Sequence, residues 1–309
     1  MPFAQFDILG FGAVAVDELL YVGAYPAEEG KVRVRQRIRQ CGGLTGTALV
    51  AAARLGAKTA YVGLIGGDPL SREVLAGFVR EGVDTTYAVR NDLARPAHST
   101  IVVDQRRHTR TIFASADGLL GAAPDRPEAA LIRSAKVLLV DHHGMPGTRR
   151  AITIAMEQGI PVVGDFERHG GDGFDSVLAD VDHLILSEAF AKECAGANTA
   201  PEAAVRLWSN QRRIVIITCG DKGGWYYAGP RGGAAEPQCY PAYQVEVVDT
   251  TGCGDVFHGA YAARLAAGEQ VNERLKWASA TAALKASRHG GQSGIPRAAE
   301  VREFLAGQL

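Results

Sequence analysis

The segment Thr47–Asp68, TALVAAARLGAKTAYVGLIGGD, sets the grammar of the whole chain. An alanine-rich helical run ends at Gly56, the residue type that stops a helix without strain, and a short apolar run follows at once. The same succession returns in Glu73–Val89, EVLAGFVREGVDTTYAV, with Gly82 as the stop, and in Ile152–Phe166, ITIAMEQGIPVVGDF, with Gly159. Further short apolar runs lie at Phe6–Leu9, Val137–Val140, His183–Leu186 and Ile214–Thr218. Strands apolar on both faces and separated by helices describe a parallel sheet covered on both sides, an α/β fold.

Composition fits this reading. The 309 residues are 47% hydrophobic and 22% charged, enough apolar material for one large domain with a sizeable core. No run approaches the roughly 18 apolar residues of a membrane helix, and the start MPFAQFDILGFG lacks a signal-peptide pattern. The expectation is a cytoplasmic protein with no membrane partner. Cys41, Cys194, Cys219, Cys239 and Cys253 are scattered without a C-x-x-C pair, so free thiols are expected rather than disulfides or a zinc site. A net charge of −1 gives no global argument for nucleic acid.

One stretch departs from the grammar. Lys31–Gln40, KVRVRQRIRQ, alternates strictly, with Lys31, Arg33, Arg35, Arg37 and Arg39 on one face and Val32, Val34, Gln36, Ile38 and Gln40 on the other. It reads as a half-exposed antiparallel strand. Leu19–Val22, Ser99–Asp104 and Thr109–Ala114 are its expected partners, giving a small second sheet from insertions at about 13–40 and 97–114. Its cations form either a solvated face that blunts edge pairing or an electropositive cover over an anionic ligand, joined by Arg106, Arg107 and Arg110.

Two glycine loops remain. Gly10, Gly12 and Ala15 follow the first strand in the spacing of a dinucleotide loop. The helix and the later acid that such a loop needs are missing, which leaves Asp17 free for another role. Asp249–Tyr261, DTTGCGDVFHGAY, fits an anion site better: Gly252, Cys253 and Gly254 open a helix whose free N–H groups and positive dipole end suit a phosphate. Asp255 beside them suits proton removal from a hydroxyl that attacks phosphorus.

The stretch DTTGCGDVFHGA resembles the carboxy-terminal signature of the ribokinase-like, or PfkB-type, carbohydrate kinases, and Cys41–Asp68 resembles their amino-terminal signature. Within that family, Gly12–Arg33 is most similar to the ketohexokinase and sulfofructose kinase branch. The resemblance covers nearly the whole chain. It implies a single domain, 1–309, with a three-layer α/β/α sandwich, a mostly parallel central sheet and a small β lid. It also implies transfer of a phosphoryl group from ATP, with Mg2+, to a hydroxyl of a small sugar, a ketose of fructose or sulfofructose type. Ribokinase, nucleoside kinase and 2-keto-3-deoxygluconate kinase are the alternatives in the same class, and a non-catalytic sugar-binding regulator is the alternative in another.

Carried onto this sequence, the resemblance implies Asp255 as base and Gly252, Cys253 and Gly254 as the anion hole. Asp17, Lys31, Gly42, Gly43 and Thr47 would hold the sugar. Thr218, Gly220 and Gly223, with Ala283 and Ser287 in the segment Ala283–Ser293, would border the nucleotide. Asp249 and Thr251 would bound a monovalent-cation (K+) site, and the lid would join a homodimer. Thr47 stands where many members have Asn. The family's N-x-x-E element is represented by Ser187–Phe190, so Glu188 is carried as the metal-associated acid without its usual partner. The turn Val140–Gly147 offers Asp141, His142 and His143 but no arginine, and the two histidines read equally as surface polarity or substrate contact.

Overall fold

The computed structural model describes residues 5–229 and 236–308. The chain enters through β1 (Phe6–Phe11), passes without a helix into β2 (Ala15–Val22) and β3 (Val34–Gly42), and then forms α1 (Leu44–Arg54) and β4 (Thr59–Tyr61). The absence of a helix after β1 disposes of the dinucleotide reading. Gly12 is needed for another reason: a β-carbon there would lie 2.1 Å from both Asp141 Oδ2 and Thr45 Oγ1.

After β5 (Leu64–Ile65) come α2 (Pro69–Glu81), β6 (Val89–Arg90), and the pair β7 (Ala97–Asp104) and β8 (Thr109–Ser115). Asp68 caps α2 by accepting from the N–H groups of Leu70 and Ser71, and Gly82 closes it in the left-handed region. The regular alternation then resumes with α3 (Ala129–Ile132), β9 (Ala135–Asp141), α4 (Met145–Gln158), β10 (Val162–Asp165), α5 (Phe174–Asp180) and β11 (His183–Ser187). It continues through α6 (Glu188–Ala195), α7 (Ala200–Leu207), β12 (Ile214–Thr218), β13 (Gly224–Tyr227) and β14 (Gln238–Tyr240), and ends in α8 (Cys253–Ala266), α9 (Val271–Ala286) and α10 (Ala298–Ala306).

Among the described residues eight strands form the main sheet in the order β14-β13-β12-β11-β10-β9-β1-β4. It is parallel from β4 to β12, and β13 and β14 add an antiparallel edge. Successive residues of one strand feed opposite cores. Ile8 belongs to the core that holds Leu49, Val256 and Ala260, and its neighbour Leu9 to the core on the other side that holds Leu138, Ile152 and Phe190. This is a three-layer α/β/α fold.

Helix α8 is buried along most of its length because α1 lies directly on it: a β-carbon on Gly259 would meet the Ala48 carbonyl at 2.0 Å. That close crossing holds the amino ends of α1 and α8 side by side at the carboxyl ends of the strands. Above them stands a second sheet in the order β3-β2-β7-β8. Its register pairs Asp17 with Gln40 and Ser99, and Tyr21 with Gln36 and Val103. Strand β3 begins only at Val34, and its first half is exposed on both faces, so the half-buried strand expected from Lys31 onward starts later and is less covered.

Candidate active site

A cavity of about 710 Å³ opens between the lid and the carboxyl rim of the main sheet. Its lid wall is one face of the small sheet, with Ala15, Asp17, Gln40, Ser99, Ile101, Arg110, Ile112 and Ala114 as lining residues. The basic residues Arg37 and Arg39 have the opposite parity and face away from it, and Arg35 falls at the bulge where the register shifts. Arg39 pairs outward with Glu18 at 2.9 Å and with Glu73 at 2.8 Å. Of the two readings of that strand, the solvated face is the one its register supports.

Asp17 sits at the acceptor end, buried, and burial pushes its carboxyl up to about 6 against the lowering pull of Ser99 and His98. Gly42 packs against that carboxylate so closely that a β-carbon would stand 1.9 Å from Asp17 Oδ2. Gly43 has φ +85°, and a β-carbon on it would collide with the Val14 backbone at 2.6 Å. Both glycines are therefore required for the loop that enters α1. Thr47 is buried beside them and accepts from Gln292 Nε2 at 3.4 Å.

Gly252 caps α8 at φ 75°, and Gly252, Cys253 and Gly254 all line the cavity, with the Cys253 N–H donating to the Thr250 carbonyl at 3.3 Å. Gly254 has open space around its β-position. Asp255 lies in the first turn, and its carboxyl is held well above the ordinary range by burial first, then by Asp165 and Glu167. His258, one turn on, has Nδ1 2.8 Å from the Gly254 carbonyl and 3.4 Å from Asp165 Oδ2, and Nε2 3.0 Å from the Ile185 carbonyl. This ring ties the start of α8 to β10 and β11.

At the other end of the cavity Thr218, Gly220, Gly223 and Ala283 join Tyr243, Val245, Val247, Phe257 and Ala286 around an apolar slot. Gly223 has φ +81°, and a β-carbon there would stand 2.1 Å from the Tyr240 carbonyl. Ser287 is not part of this lining; its hydroxyl donates to the Leu284 carbonyl at 2.8 Å. Glu188 starts α6 and lines a separate small pocket with Cys219 and Lys222. Lys31 is exposed ahead of β3, and it does not line the cavity. Thr251 lines the cavity, whereas Asp249 lies buried beneath its floor.

Several cavity residues escaped the motif reading. Asp165 ends β10, Glu167 and Arg168 follow it, all three line the cavity, and Asp165 Oδ2 is buried without a hydrogen-bond partner among the described residues. The strand-end acid in VVGD was the available signal. Arg168 donates from Nε to His142 Nε2 at 3.1 Å, so the turn at Asp141 does acquire an arginine from a neighbouring loop. His142 is buried, and that burial pushes it down to about 4. His143 is partly covered, lines the cavity and holds Asp141 at 3.2 Å. The pair is not surface polarity.

A family model described as pfkB family carbohydrate kinase matches residues 9–298. The chain belongs to the pfkB family of carbohydrate kinases. It is 28% identical to a ribokinase of Haemophilus influenzae, over 95% of this chain and 96% of that protein. It is 27% identical to fructokinase-1 of Oryza sativa subsp. japonica, over 96% and 97% of the two chains. A crystal structure from Agrobacterium tumefaciens superposes with a TM-score of 0.89 at 26% identity, covering 98% of each chain. A ribokinase of Arabidopsis thaliana solved with ribose and ATP superposes with a TM-score of 0.80 at 20% identity, covering 97% of this pfkB-family chain and 98% of that one. The α/β/α layers and the lid thus sit in a ribokinase fold.

Proposed function

We propose that this pfkB-family kinase transfers the γ-phosphoryl group of ATP to a hydroxyl of a small sugar, a ketose of fructose or sulfofructose type. The observation that carries the reading is that two carboxylates, buried Asp17 and half-buried Asp255, line one cavity together with the Gly252–Gly254 turn and an apolar slot. The sugar binds under the lid against Asp17, Gly43 and Thr47, where a carboxylate accepts from two hydroxyls. The adenine lies in the apolar slot of Val245, Val247, Ala283 and Ala286 at the other end of the cavity.

In the transfer, the attacking hydroxyl gives its proton to Asp255 while its oxygen bonds to phosphorus and the bond from phosphorus to the ADP oxygen breaks. The N–H groups of Gly252, Cys253 and Gly254 face the oxygens on which charge is spread. Burial first, then Asp165 and Glu167, raise the proton affinity of Asp255, which strengthens it as a base. A magnesium ion of the nucleotide fits the residues present, because the unpartnered Asp165 Oδ2 and Glu167 border this cavity. Magnesium is held through one or two carboxylates plus phosphates, and when bound it neutralises phosphate charge. The test is ADP release across fructose, sulfofructose, ribose, ketodeoxygluconate and nucleosides. Turnover of a ketose above the others supports the reading, and turnover of ribose or a nucleoside alone replaces it.

A homodimer through the lid is supported by edge strand β8, where Ile112 is 50% and Phe113 54% exposed, on opposite faces of the strand. Light scattering of the wild type and of Phe113→Lys tests it: a dimer that the variant splits is expected.

A further inference from the structure

The strap that leads into the anion hole is tied to the carboxyl end of α9: Val248 N and Asp249 N donate to the Ala286 carbonyl at 2.8 and 3.0 Å. One residue earlier on that helix stands Lys285, whose side chain is fully buried. Its Nζ donates to the Asp249 carbonyl at 2.7 Å and lies 4.0 Å from Asp249 Oδ1. A buried ammonium persists only where acceptors and opposite charge replace its hydration. Burial lowers its proton affinity, and Cys253, Asp249 and Asp255 restore part of it. The carboxyl end of a helix also favours a cation.

An alkali ion at Asp249 and Thr251 would need free oxygen lone pairs, as hard cations do. Those of Asp249 are already engaged, whereas Thr251 Oγ1 is buried without a partner among the described residues. Asp249 Oδ2 accepts from Tyr21 Oη at 2.5 Å and from Gly290 N at 3.0 Å, and Oδ1 accepts from Thr251 N at 2.8 Å. The backbone carbonyl is held by Lys285. One free hydroxyl oxygen does not supply the set of oxygen ligands that a hard cation takes. The residues present do not fit the potassium that the family resemblance implies.

We propose that Lys285 is the built-in cation of this kinase: its ammonium stands in for a monovalent ion beneath Asp249 and positions the Gly252–Gly254 N–H groups without added potassium. This rests on the phosphoryl-transfer reading above. Lys285 touches neither substrate, and acts through Asp249 and the turn that Asp249 holds by Thr251 N.

The wild type is compared in potassium chloride and choline chloride at equal ionic strength. Rates with the accepted sugar are expected to agree within about twofold, and the melting temperature is expected not to move. A tenfold requirement for potassium, or a melting point several degrees higher in potassium, overturns the proposal. Lys285→Ala is expected to lose at least tenfold in kcat in choline with sugar KM within about threefold, and to regain activity and melting temperature in potassium or methylammonium chloride. Wild-type kcat for that variant in choline overturns the positioning role. Should the variant not fold, the wild-type comparison decides alone; should no sugar be phosphorylated, the melting comparison still decides while the kinase reading fails.

Discussion

Gly42 and Asp17 occupy neighbouring space so tightly that a β-carbon on Gly42 would stand 1.9 Å from Asp17 Oδ2. The glycine is thus a mould for the carboxylate proposed to hold the sugar. Gly42→Ala should displace that carboxylate and raise the sugar KM at least tenfold while the ATP KM stays within about twofold. Asp17→Ala removes a charge-assisted hydrogen bond worth roughly 1.5–3 kcal/mol, about tenfold to a hundredfold in sugar KM. Steady-state kinetics with each substrate varied in turn checks both, and equal effects on the two substrates would exclude direct sugar contact.

Asp255→Asn separates chemistry from folding. Loss of a general base lowers kcat by about 10²–10⁴, while ADP binding by calorimetry should be retained. Stability should move the other way. The folded-state value of Asp255 is raised, chiefly by burial, so its stabilising contribution is full below the unfolded value near 3.8 and is lost as pH rises through the folded value. The variant carries no such loss. Its melting temperature should exceed that of the wild type at pH 8, and the gap should close toward pH 4.

The layers of this fold are legible because helix and strand runs differ in period and are punctuated by glycine, as at Gly56, Gly82 and Gly159. The lid strand was legible as a strand but not in its orientation. Alternation separates Arg37 from Ile38 without saying which looks inward; that choice is made by pairing with β2, which brings Gln40 beside Asp17. Lys285 was hidden in an ordinary helical run, although Ala278, Thr281 and Lys285 share one buried face of α9 at spacings of three and four. Arg168 met His142 only through folding, from a loop 26 residues away in sequence. Tertiary partners of this kind leave no local period.

Two carboxylates with raised values give a pH signature. Asp17 is pushed up to about 6 and Asp255 well above its ordinary value, both chiefly by burial. If sugar binding needs ionised Asp17 and chemistry needs ionised Asp255, log(kcat/KM) for the sugar should climb with a slope approaching two on the acid side and flatten above both values. In Asp17→Asn the limb should fall to a slope near one, with Asp255 alone still titrating. A slope of two that survives this substitution would assign the second proton elsewhere, with Asp165 as the group to test next.

Arg110 is the cation of the lid that reaches the chemistry, and the register explains why. It pairs with Val103, which pairs with Tyr21, on the inward face of the sheet, and its Nη1 donates to Thr250 Oγ1 at 3.0 Å beside the anion hole. Arg37 pairs with Leu20 on the outward face. Charge on an exposed outward face acts through long-range attraction that salt screens, whereas a guanidinium at the phosphates makes short hydrogen bonds. Arg37→Gln and Lys31→Met should therefore leave both KM values and the ratio of sulfofructose to fructose turnover within about twofold at low and high salt. Arg110→Met should lower kcat/KM for ATP roughly tenfold to a hundredfold, the loss expected for one charged hydrogen bond. An unchanged Arg110→Met enzyme beside an impaired Lys31→Met enzyme would mean that the lid closes further and swings the start of β3 over the acceptor, reversing the assignment of its faces.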